Sequence, residues 1–394
     1  MRTTTQITEG NTVGGRRPWP DELWSTRATT VEPVPARRST RHAAASPAAA
    51  LLRAWSPPTP RRRRPRLPTA PSIVPGLPLP APAGRRGSRS APPRPAPRGT
   101  GRWEHGRFDS PFGSRTFDLY IPSGLRGRGP VPLLVALHGC AQTARDFTAA
   151  TRWDELADRR GFLLVLPEQT VTRNAQRCWR WFESDHQQRG QGEPAIIAGI
   201  VGQVAGHRSP TVDRSRIYAA GLSAGAAMSV TLGSQYPDVF AAVAAHSGPV
   251  PGSANGARQA LAGMQALTPL PAPDPGWPRW APLMVVQGSA DRTVSPRNAD
   301  RLAQQWLAHS DSAAALRRRD VDKRVVGSGS ARTPRPHHIS RWYAGRQRVL
   351  EVWEIAGLGH AWSGGANGGS FSDPRGPRAT TAMWDFLATH RLPG

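Results

Sequence analysis

Short, continuous apolar runs recur through residues 101–394, and longer segments with helical spacing of apolar residues separate them. Runs of this kind are typical of strands that are buried on both faces of a sheet. When such strands alternate with helices along a chain, they form a mostly parallel sheet with helices packed on its faces. The sequence therefore predicts an α/β fold for residues 101–394.

The same pattern gives approximate positions for the elements. The predicted strands are Arg115–Ile121, Pro132–Leu137, Phe162–Leu166, Ser215–Leu222, Phe240–Ala245, Pro282–Gln287 and Gln347–Ile355. The predicted helices are Ala144–Arg160, Pro194–Ala205, Ala224–Gln235, Pro296–His309 and Thr380–His390, and a Pro/Gly-rich insertion has room for one short helix at Ala257–Ala266. The polar stretch Arg317–Ser340 is predicted to be a surface loop.

The first hundred residues have a different composition from the rest of the chain. They contain 18 Arg, 19 Pro and only 4 acidic residues. A segment this rich in proline and in charge of one sign buries too little apolar surface to offset the entropy lost on ordering. We therefore predict a disordered segment over residues 1–100, followed by one catalytic domain over residues 101–394.

Several classes of protein are not expected from this sequence. No apolar run reaches the roughly 18 residues that a membrane-spanning helix needs. The N-terminus lacks the basic region and apolar core of a secretory signal, so a cytoplasmic location stays open. The chain has only two Cys, too few for a four-Cys metal site. The spacing of Gly190, Gly192 and Ala195 resembles a dinucleotide-binding motif, but no apolar strand precedes it. We expect neither a metal nor an organic cofactor.

Residues 221–225 read G-L-S-A-G, with an apolar strand before them and a helical Ala/Met/Val pattern after them. This is the nucleophile-elbow pattern, in which a tight turn between a strand and a helix exposes a serine hydroxyl above the sheet. The glycines are needed because the turn is strained and passes close to neighbouring backbone. We predict that Ser223 is a nucleophile. A glycine-rich turn with an idle serine is the alternative.

A serine nucleophile needs a histidine base and a carboxylate that orients the histidine. In this type of fold the three follow the order Ser, acid, His. Asp291 comes just after the predicted strand Pro282–Gln287, and His360 lies in a glycine-rich loop after Gln347–Ile355. A turn or helix-capping role is the alternative for Asp291. His246, which directly follows a strand, is the rival base, although it precedes Asp291 in the chain.

The oxyanion of an acyl-transfer intermediate needs two preorganised backbone N–H donors. The residue after the nucleophile, Ala224, supplies one of them. The predicted strand that ends at Leu137 runs into the turn His138-Gly139-Cys140, which matches the second element of such a site. The N–H of Cys140 is therefore the second expected donor.

Five separated motifs occur in a consistent order: L-H-G-C-A-Q-T, C-W-R-W-F, G-L-S-A-G, G-S-A-D and G-H-A-W. Together they resemble the polyhydroxybutyrate depolymerase family of esterases, which includes secreted feruloyl and acetylxylan esterases with the α/β-hydrolase fold. The resemblance covers about Arg115–Leu387 and does not reach residues 1–100. It implies the catalytic triad Ser223, Asp291 and His360, with Cys140 and Ala224 as the oxyanion hole.

The resemblance also has implications for the cysteines and tryptophans. Family members often join the Cys of the H-G-C turn to the Cys before the Trp pair, which implies a disulfide between Cys140 and Cys178. Two buried free thiols are the alternative. The family also uses Trp in this neighbourhood, so that Trp179, Trp181 and Trp362 are candidates for a substrate-binding groove, with simple core packing as the alternative.

Two functions of different classes follow from these features. The first is a serine esterase that hydrolyses carboxylic esters of the poly- or oligo-3-hydroxyalkanoate type through an acyl-enzyme. A feruloyl or acetylxylan esterase is the alternative within this class. The second is an inactive hydrolase-like carrier whose Arg-rich segment, including Arg61–Arg64, binds a polyanion. That segment has few aromatic residues to stack on bases, so a specific nucleic-acid partner is not expected. The family resemblance implies an extracellular location.

Overall fold

The structure of the chain is a computed structural model that describes residues 95–393 except for 126–127, 207–209, 273–279, 311–314 and 324–334. The prediction of disorder over residues 1–100 therefore lies outside the described residues, apart from 95–100. In that short stretch the backbone N–H groups of Arg98 and Gly99 donate to Oδ2 of Asp154 at 2.6 and 2.7 Å. Contact with the folded domain thus begins before residue 101.

The described residues form strands and helices that alternate through most of the chain. The strands are β1 (Arg102–Ser110), β2 (Gly113–Ile121), β3 (Val131–Leu137), β4 (Leu163–Pro167), β5 (Val212–Leu222), β6 (Ala242–His246), β7 (Leu283–Gly288), β8 (Arg317–Lys323), β9 (His337–Ala344), β10 (Gln347–Ile355), β11 (Trp362–Ser363) and β12 (Ser372–Asp373). The α-helices are α1 (Ala144–Thr151), α2 (Trp153–Arg160), α3 (Gly192–Gly206), α4 (Ala224–Gln235), α5 (Ala257–Met264), α6 (Arg297–Ala308) and α7 (Ala379–Leu387).

Ten strands form one sheet in the order β1-β2-β4-β3-β5-β6-β7-β10-β9-β8. The central strands, from β4 to β10, are all parallel, and an antiparallel pair extends the sheet at each end. This is the predicted mostly parallel sheet. Because ligands of open α/β sheets bind outside the carboxyl ends of parallel strands, the loops after β3, β5, β6, β7 and β10 mark the functional edge.

Both faces of the sheet are buried under helices. In β3 the side chains of Leu133 and Val135 pack with α3, α4 and α6, whereas the alternate residue Leu134 packs with α1, α2 and α7 on the other face. This alternation follows from the two-residue period of a strand. The continuous apolar runs of the sequence are thus strands with a hydrophobic core on each side.

The structure corrects two predictions of secondary structure. The predicted helix Ala144–Arg160 is two helices, because Arg152 takes a left-handed conformation with φ of 60° between α1 and α2. The stretch Arg317–Ser340, predicted to be a loop, contains β8 and the start of β9. Charged residues are common on edge strands, where they discourage pairing with other chains. The charged sequence of β8 is therefore compatible with an edge strand, although it was interpreted as a loop. None of the described helices has both the length and the apolar character that a bilayer span requires.

A buried ion pair ties β2 to the start of α3. The guanidinium of Arg115 donates to Oε1 of Glu193 at 2.8 Å, and both side chains are almost completely buried. Glu193 also accepts from the side chain of Gln169 and, at Oε2, from the backbone N–H of Arg180 at 2.7 Å. A single carboxylate therefore holds the loop after β4 and the tryptophan-containing segment that follows it.

We expect Arg115→Leu to lower the free energy of unfolding by about 3–5 kcal/mol, because it leaves the charge of Glu193 buried without its cation. Urea unfolding measures this change. The matched control is Arg159→Leu, which removes an exposed guanidinium 3.8 Å from Glu155 on α2 and should cost at most about 1 kcal/mol. Equal losses in the two variants would contradict the role given to the buried pair.

Candidate active site

Ser223 lies in the turn between β5 and α4, where its backbone is strained. Its φ and ψ are 57° and −118°, a conformation that non-glycine residues rarely adopt. The turn requires glycine on both sides: a Cβ on Gly221 would lie 2.3 Å from the backbone of Gly225, and one on Gly225 would lie 2.3 Å from the carbonyl oxygen of Leu137. The Ser223 N–H donates to the carbonyl oxygen of His246 at 2.9 Å. The hydroxyl is therefore held at the carboxyl edge of the sheet.

Asp291 and His360 come together at the same edge, although 69 residues separate them. Nδ1 of His360 lies 2.8 Å from Oδ2 of Asp291. The other carboxylate oxygen, Oδ1, accepts from the backbone N–H groups of Thr293 and Val294, both at 2.9 Å. Because an ionised carboxylate only accepts, His360 carries its proton on Nδ1, and its Nε2 is left to accept another.

The surroundings of Asp291 keep it ionised. Burial acts to raise the pKa of its carboxyl, but the hydrogen bond from His360, the charge of that ring and the two backbone N–H groups together bring the pKa below its ordinary value. A charged carboxylate fixes the tautomer of His360 and stabilises the imidazolium form. The pair therefore offers an ionised carboxylate and an imidazole whose Nε2 can accept a proton, which is what nucleophilic catalysis by a serine requires.

His246, the rival base in the sequence, has a different environment. Its ring is fully buried and stacks on Trp362 with 5.0 Å between ring centroids. Nε2 accepts the backbone N–H of Ser363 at 3.1 Å, so the ring proton is on Nδ1, which donates to the hydroxyl of Ser247 at 3.0 Å. Burial, aided by the charge of the nearby His360, lowers the pKa of His246 to about 3. Both of its nitrogens are engaged, and the ring stays neutral.

The loop after β3 packs against the amino end of α4. The position that a Cβ would take on Gly225 lies 2.3 Å from the Leu137 carbonyl and 2.5 Å from that of His138, so helix and loop are in direct contact. Within the described residues, neither the Cys140 N–H nor the Ala224 N–H donates a hydrogen bond to another protein group. The first residue of α4 and the loop after β3 therefore each have one backbone donor without a protein acceptor in the part of the chain that the structure describes.

Buried side chains fix the shape of this loop. Nε2 of His138 accepts the backbone N–H of Gln169 at 3.0 Å, and its Nδ1 donates to the Gly139 carbonyl at 2.8 Å. Oε1 of Gln142 accepts the Gly139 N–H at 2.9 Å, and its Nε2 donates to the Ser370 carbonyl at 3.0 Å. The side chain of Gln142 thus connects the loop after β3 to the loop between β11 and β12.

Cys140 and Cys178 form a disulfide in the structure. It joins the loop after β3 to the segment that begins at Cys178, whose carbonyl accepts from the side chain of Gln169 at 3.0 Å. The backbone N–H of Cys178 donates to Oδ1 of Asn174 at 3.1 Å. The Cys140 N–H is therefore positioned by a covalent bond as well as by hydrogen bonds.

The three tryptophans predicted to form a groove are buried. Trp179 and Trp362 are 0% exposed, and Trp181 is 2% exposed. The indole of Trp179 donates to the carbonyl of His138 at 3.1 Å, and that of Trp362 donates to the hydroxyl of Thr380 at 2.9 Å. Their burial does not support the predicted groove. They pack inside the loops around the site, as large aromatic side chains commonly do.

Strained backbone is concentrated around this edge of the sheet. Most of the described non-glycine residues with positive φ belong to its loops: Ala141, Arg177, Ser223, Ser247 and Phe371. Each such residue costs about 1–3 kcal/mol and persists only where the surrounding structure enforces it. The strain indicates a site whose geometry is fixed by its surroundings.

Sequence reasoning did not assign roles to His138, Gln142 and Phe371, and it considered His246 only as a rival base. The first two belong to the motif L-H-G-C-A-Q-T, so the motif itself was a signal for them. The hydrogen bond between Ser363 and His246 and the ring contact between Phe371 and His360 left no pattern in the sequence. In the described part of the chain, no group of three or more His, Cys, Asp or Glu is arranged to hold a metal ion.

We expect the free energy of unfolding to fall as the pH drops from about 6.5 to about 4. In that range the unfolded chain binds protons at His138 and His246, whereas burial lowers the pKa of these rings in the folded state to about 4 and about 3. Each ring contributes a loss of about 1.4 kcal/mol per pH unit. Urea unfolding at two pH values in this range measures the slope. His246→Gln, which does not titrate, should give a shallower slope, and an unchanged slope would contradict this account.

We expect no reactive thiol in the untreated protein and two after denaturing reduction, as measured by thiol titration. The bond closes a loop with a sequence separation of 38, for which chain entropy predicts a stabilisation of about 4 kcal/mol. Unfolding of the reduced protein or of a Cys140→Ala/Cys178→Ala variant measures this contribution. Two titratable thiols before reduction would show that the bond does not form in solution.

The family profile that matches this chain and the names of its relatives agree with one another. Residues 115–325 match the family profile described as Esterase PHB depolymerase. Poly(3-hydroxyalkanoate) depolymerase C of Paucimonas lemoignei is 32% identical over 270 residues, which cover 64% of this chain and 60% of that protein. Feruloyl esterase B of Thermothelomyces thermophilus is 37% identical over 143 residues, which cover 36% of this chain and 47% of that protein. The chain thus spans about half to three-fifths of the length of these relatives.

A similar fold is found among solved structures. The acetyl xylan esterase from Aspergillus awamori has a TM-score of 0.51 and 16% sequence identity, and the match covers 72% of this chain and 99% of that chain. At this identity the similarity concerns the fold alone, and the fold is that of the α/β-hydrolases. Since the family profile covers more than half of the sequence, the chain belongs to the esterase PHB depolymerase family.

Proposed function

We propose that the protein is a serine esterase that hydrolyses carboxylic esters, with Ser223 as nucleophile, His360 as general base and acid, and Asp291 as the group that orients His360. The observation that carries the proposal is the 2.8 Å hydrogen bond between Asp291 and His360, at the sheet edge where the strained turn holds Ser223. Family membership and the names of the relatives support the same activity.

In the first half of the reaction the Ser223 hydroxyl attacks the ester carbonyl. The bond from Oγ to the carbonyl carbon forms while the hydroxyl proton passes to Nε2 of His360. The N–H groups of Cys140 and Ala224 then stabilise the oxyanion of the tetrahedral intermediate. When the bond to the alcohol oxygen breaks, His360 returns the proton to that oxygen, and an acyl-enzyme remains.

In the second half, water replaces the alcohol. His360 accepts a proton from water as the water oxygen bonds to the acyl carbon, and the acid leaves when Ser223 regains its proton. Asp291 stays ionised and stabilises the imidazolium at each transfer. The cycle needs no oxidant, metal or organic cofactor.

The substrate class that we propose is an ester of the hydroxyalkanoate type, as a polymer or its shorter oligomers. The name of the Paucimonas lemoignei relative supports it, and that relative shares more of this chain than the feruloyl esterase does. Feruloyl and acetylxylan esters are the second candidate, because relatives with those names also match. A panel of oligo-3-hydroxybutyrate, feruloyl and acetylxylan esters distinguishes the two.

We propose that the protein works in an oxidising compartment outside the cytoplasm. The support is the disulfide between Cys140 and Cys178, since such bonds persist mainly in exported proteins. The alternative function, an inactive carrier with a polyanion-binding arm, depends on residues 1–94, which lie outside the described part of the chain. The activity of the wild-type protein discriminates between carrier and enzyme.

We expect Ser223→Ala to lower kcat for a short p-nitrophenyl ester by about 10⁴-fold or more, because it removes the nucleophile. Asp291→Asn should lower kcat by a comparable factor, because an amide can favour the wrong tautomer of His360. Release of p-nitrophenol measures both rates.

Ser234→Ala is the matched control, since it removes the hydroxyl of another buried serine, one that lies at the far end of α4 and donates only to the carbonyl of Thr231. It should keep most of the activity. Hydrolysis by Ser223→Ala at the wild-type rate would eliminate the esterase mechanism.

A further inference from the structure

Phe371 is the aromatic neighbour of the candidate base. Its ring lies 6.2 Å from the His360 ring, centroid to centroid, at an interplanar angle of 78°. Phe371 is partly exposed, in contrast to Trp179, Trp181 and Trp362, which are buried. Phe371, and not these three tryptophans, therefore offers an accessible aromatic surface at the site.

The backbone holds Phe371 in place at an energetic cost. Its φ is 48°, which is unusual for a bulky residue. The Trp362 N–H donates to the Phe371 carbonyl at 2.6 Å, and the preceding Ser370 carbonyl accepts from Gln142. The short strand β12 begins at the next residue and pairs with β11. Phe371 is thus tied to the His360 loop on one side and to the loop of Cys140 on the other.

The mechanism determines which half of an ester lies near this ring. His360 must return its proton to the alcohol oxygen, so that oxygen lies within hydrogen-bond reach of the imidazole. The carbon attached to the oxygen therefore lies beside the neighbours of His360. The acyl carbonyl oxygen, by contrast, points to the N–H groups of Cys140 and Ala224.

We propose that Phe371 is a specificity-determining residue that contacts the alcohol half of the ester and favours apolar or aromatic alcohols. The inference rests on the proposed esterase function and adds the location of one substrate subsite. The ring supplies apolar contact during acylation, the step in which the alcohol is still attached. Once the acyl-enzyme has formed, the ring has no alcohol to contact.

The test compares substrates that differ in one half only. Ethyl acetate and 2-phenylethyl acetate have the same acyl group and alcohols of similar reactivity, while ethyl acetate and ethyl hexanoate differ only in the acyl group. The measured quantity is kcat/KM, because it reports acylation. We expect Phe371→Ala to lower the preference for 2-phenylethyl over ethyl acetate by about tenfold, as expected for the loss of an aromatic contact. The preference for hexanoate over acetate should stay unchanged.

Further variants separate the ring from its surroundings. Phe371→Gly removes the ring and also relieves the strain at positive φ, so it should change the alcohol preference as Phe371→Ala does. Phe371→Leu keeps apolar bulk and should give an intermediate preference, even if the smaller variants fold poorly. Phe112→Ala removes a 45% exposed ring from the turn between β1 and β2 and should leave both preferences unchanged.

The outcomes distinguish this inference from the esterase proposal. A uniform loss over all three esters, or a change in acyl preference alone, would overturn the assignment of Phe371 while leaving the esterase intact. Recovery of the wild-type alcohol preference in Phe371→Gly would attribute the effect to backbone strain and would also overturn it. If wild type and Ser223→Ala hydrolysed the esters equally, the esterase proposal itself would fail.

Discussion

The buried residue His246 joins the two loops on which the candidate chemistry depends. Its backbone carbonyl oxygen accepts the N–H of Ser223, while Nε2 of its imidazole accepts the N–H of Ser363, three residues after His360. A neutral ring is required for this, because a protonated Nε2 would be a donor and would oppose the Ser363 N–H. Burial maintains the neutral form by lowering the pKa of His246. The placement of Ser223 and of the segment after His360 thus depends in part on a residue in the buried core beneath them.

A second buried, neutral histidine orders the loop after β3, which contains Cys140. His138 is also buried and neutral, and it accepts from Gln169 while its own N–H holds the Gly139 carbonyl. Behind it, the carboxylate of Glu193 orders the loop after β4 and the segment that contains Arg180. His138 and Glu193 thus have specific partners for their buried polar atoms, and these contacts favour one arrangement of the loops that they join. Strained residues such as Ala141 and Ser223 persist because these contacts enforce their conformations.

The sequence predicted the sheet and the position of the candidate triad better than the details around them. Buried parallel strands leave continuous apolar runs, and the carboxyl ends of such strands meet at one edge. Together with the G-L-S-A-G motif and the chain order, these strand ends predicted Ser223, Asp291 and His360 as the candidate triad. The strand β8 was missed because its exposed position allows a charged sequence. The hydrogen bond from Ser363 to His246 was not predictable, since it joins residues 117 positions apart and follows no repeat.

The tryptophans illustrate why residue type alone is a poor guide to substrate contact. An indole offers a large apolar surface, and burying that surface inside a loop stabilises the loop by the same hydrophobic effect that would bind a ligand. In this protein Trp362 packs beneath His246 and Trp179 beneath the loop of Cys140, so both contribute to the rigidity of the site. Phe371 has no polar ring atom to satisfy, and it is partly exposed beside His360. Around the candidate site the large indoles are therefore packed inside the loops, and the smaller ring of Phe371 is the accessible one.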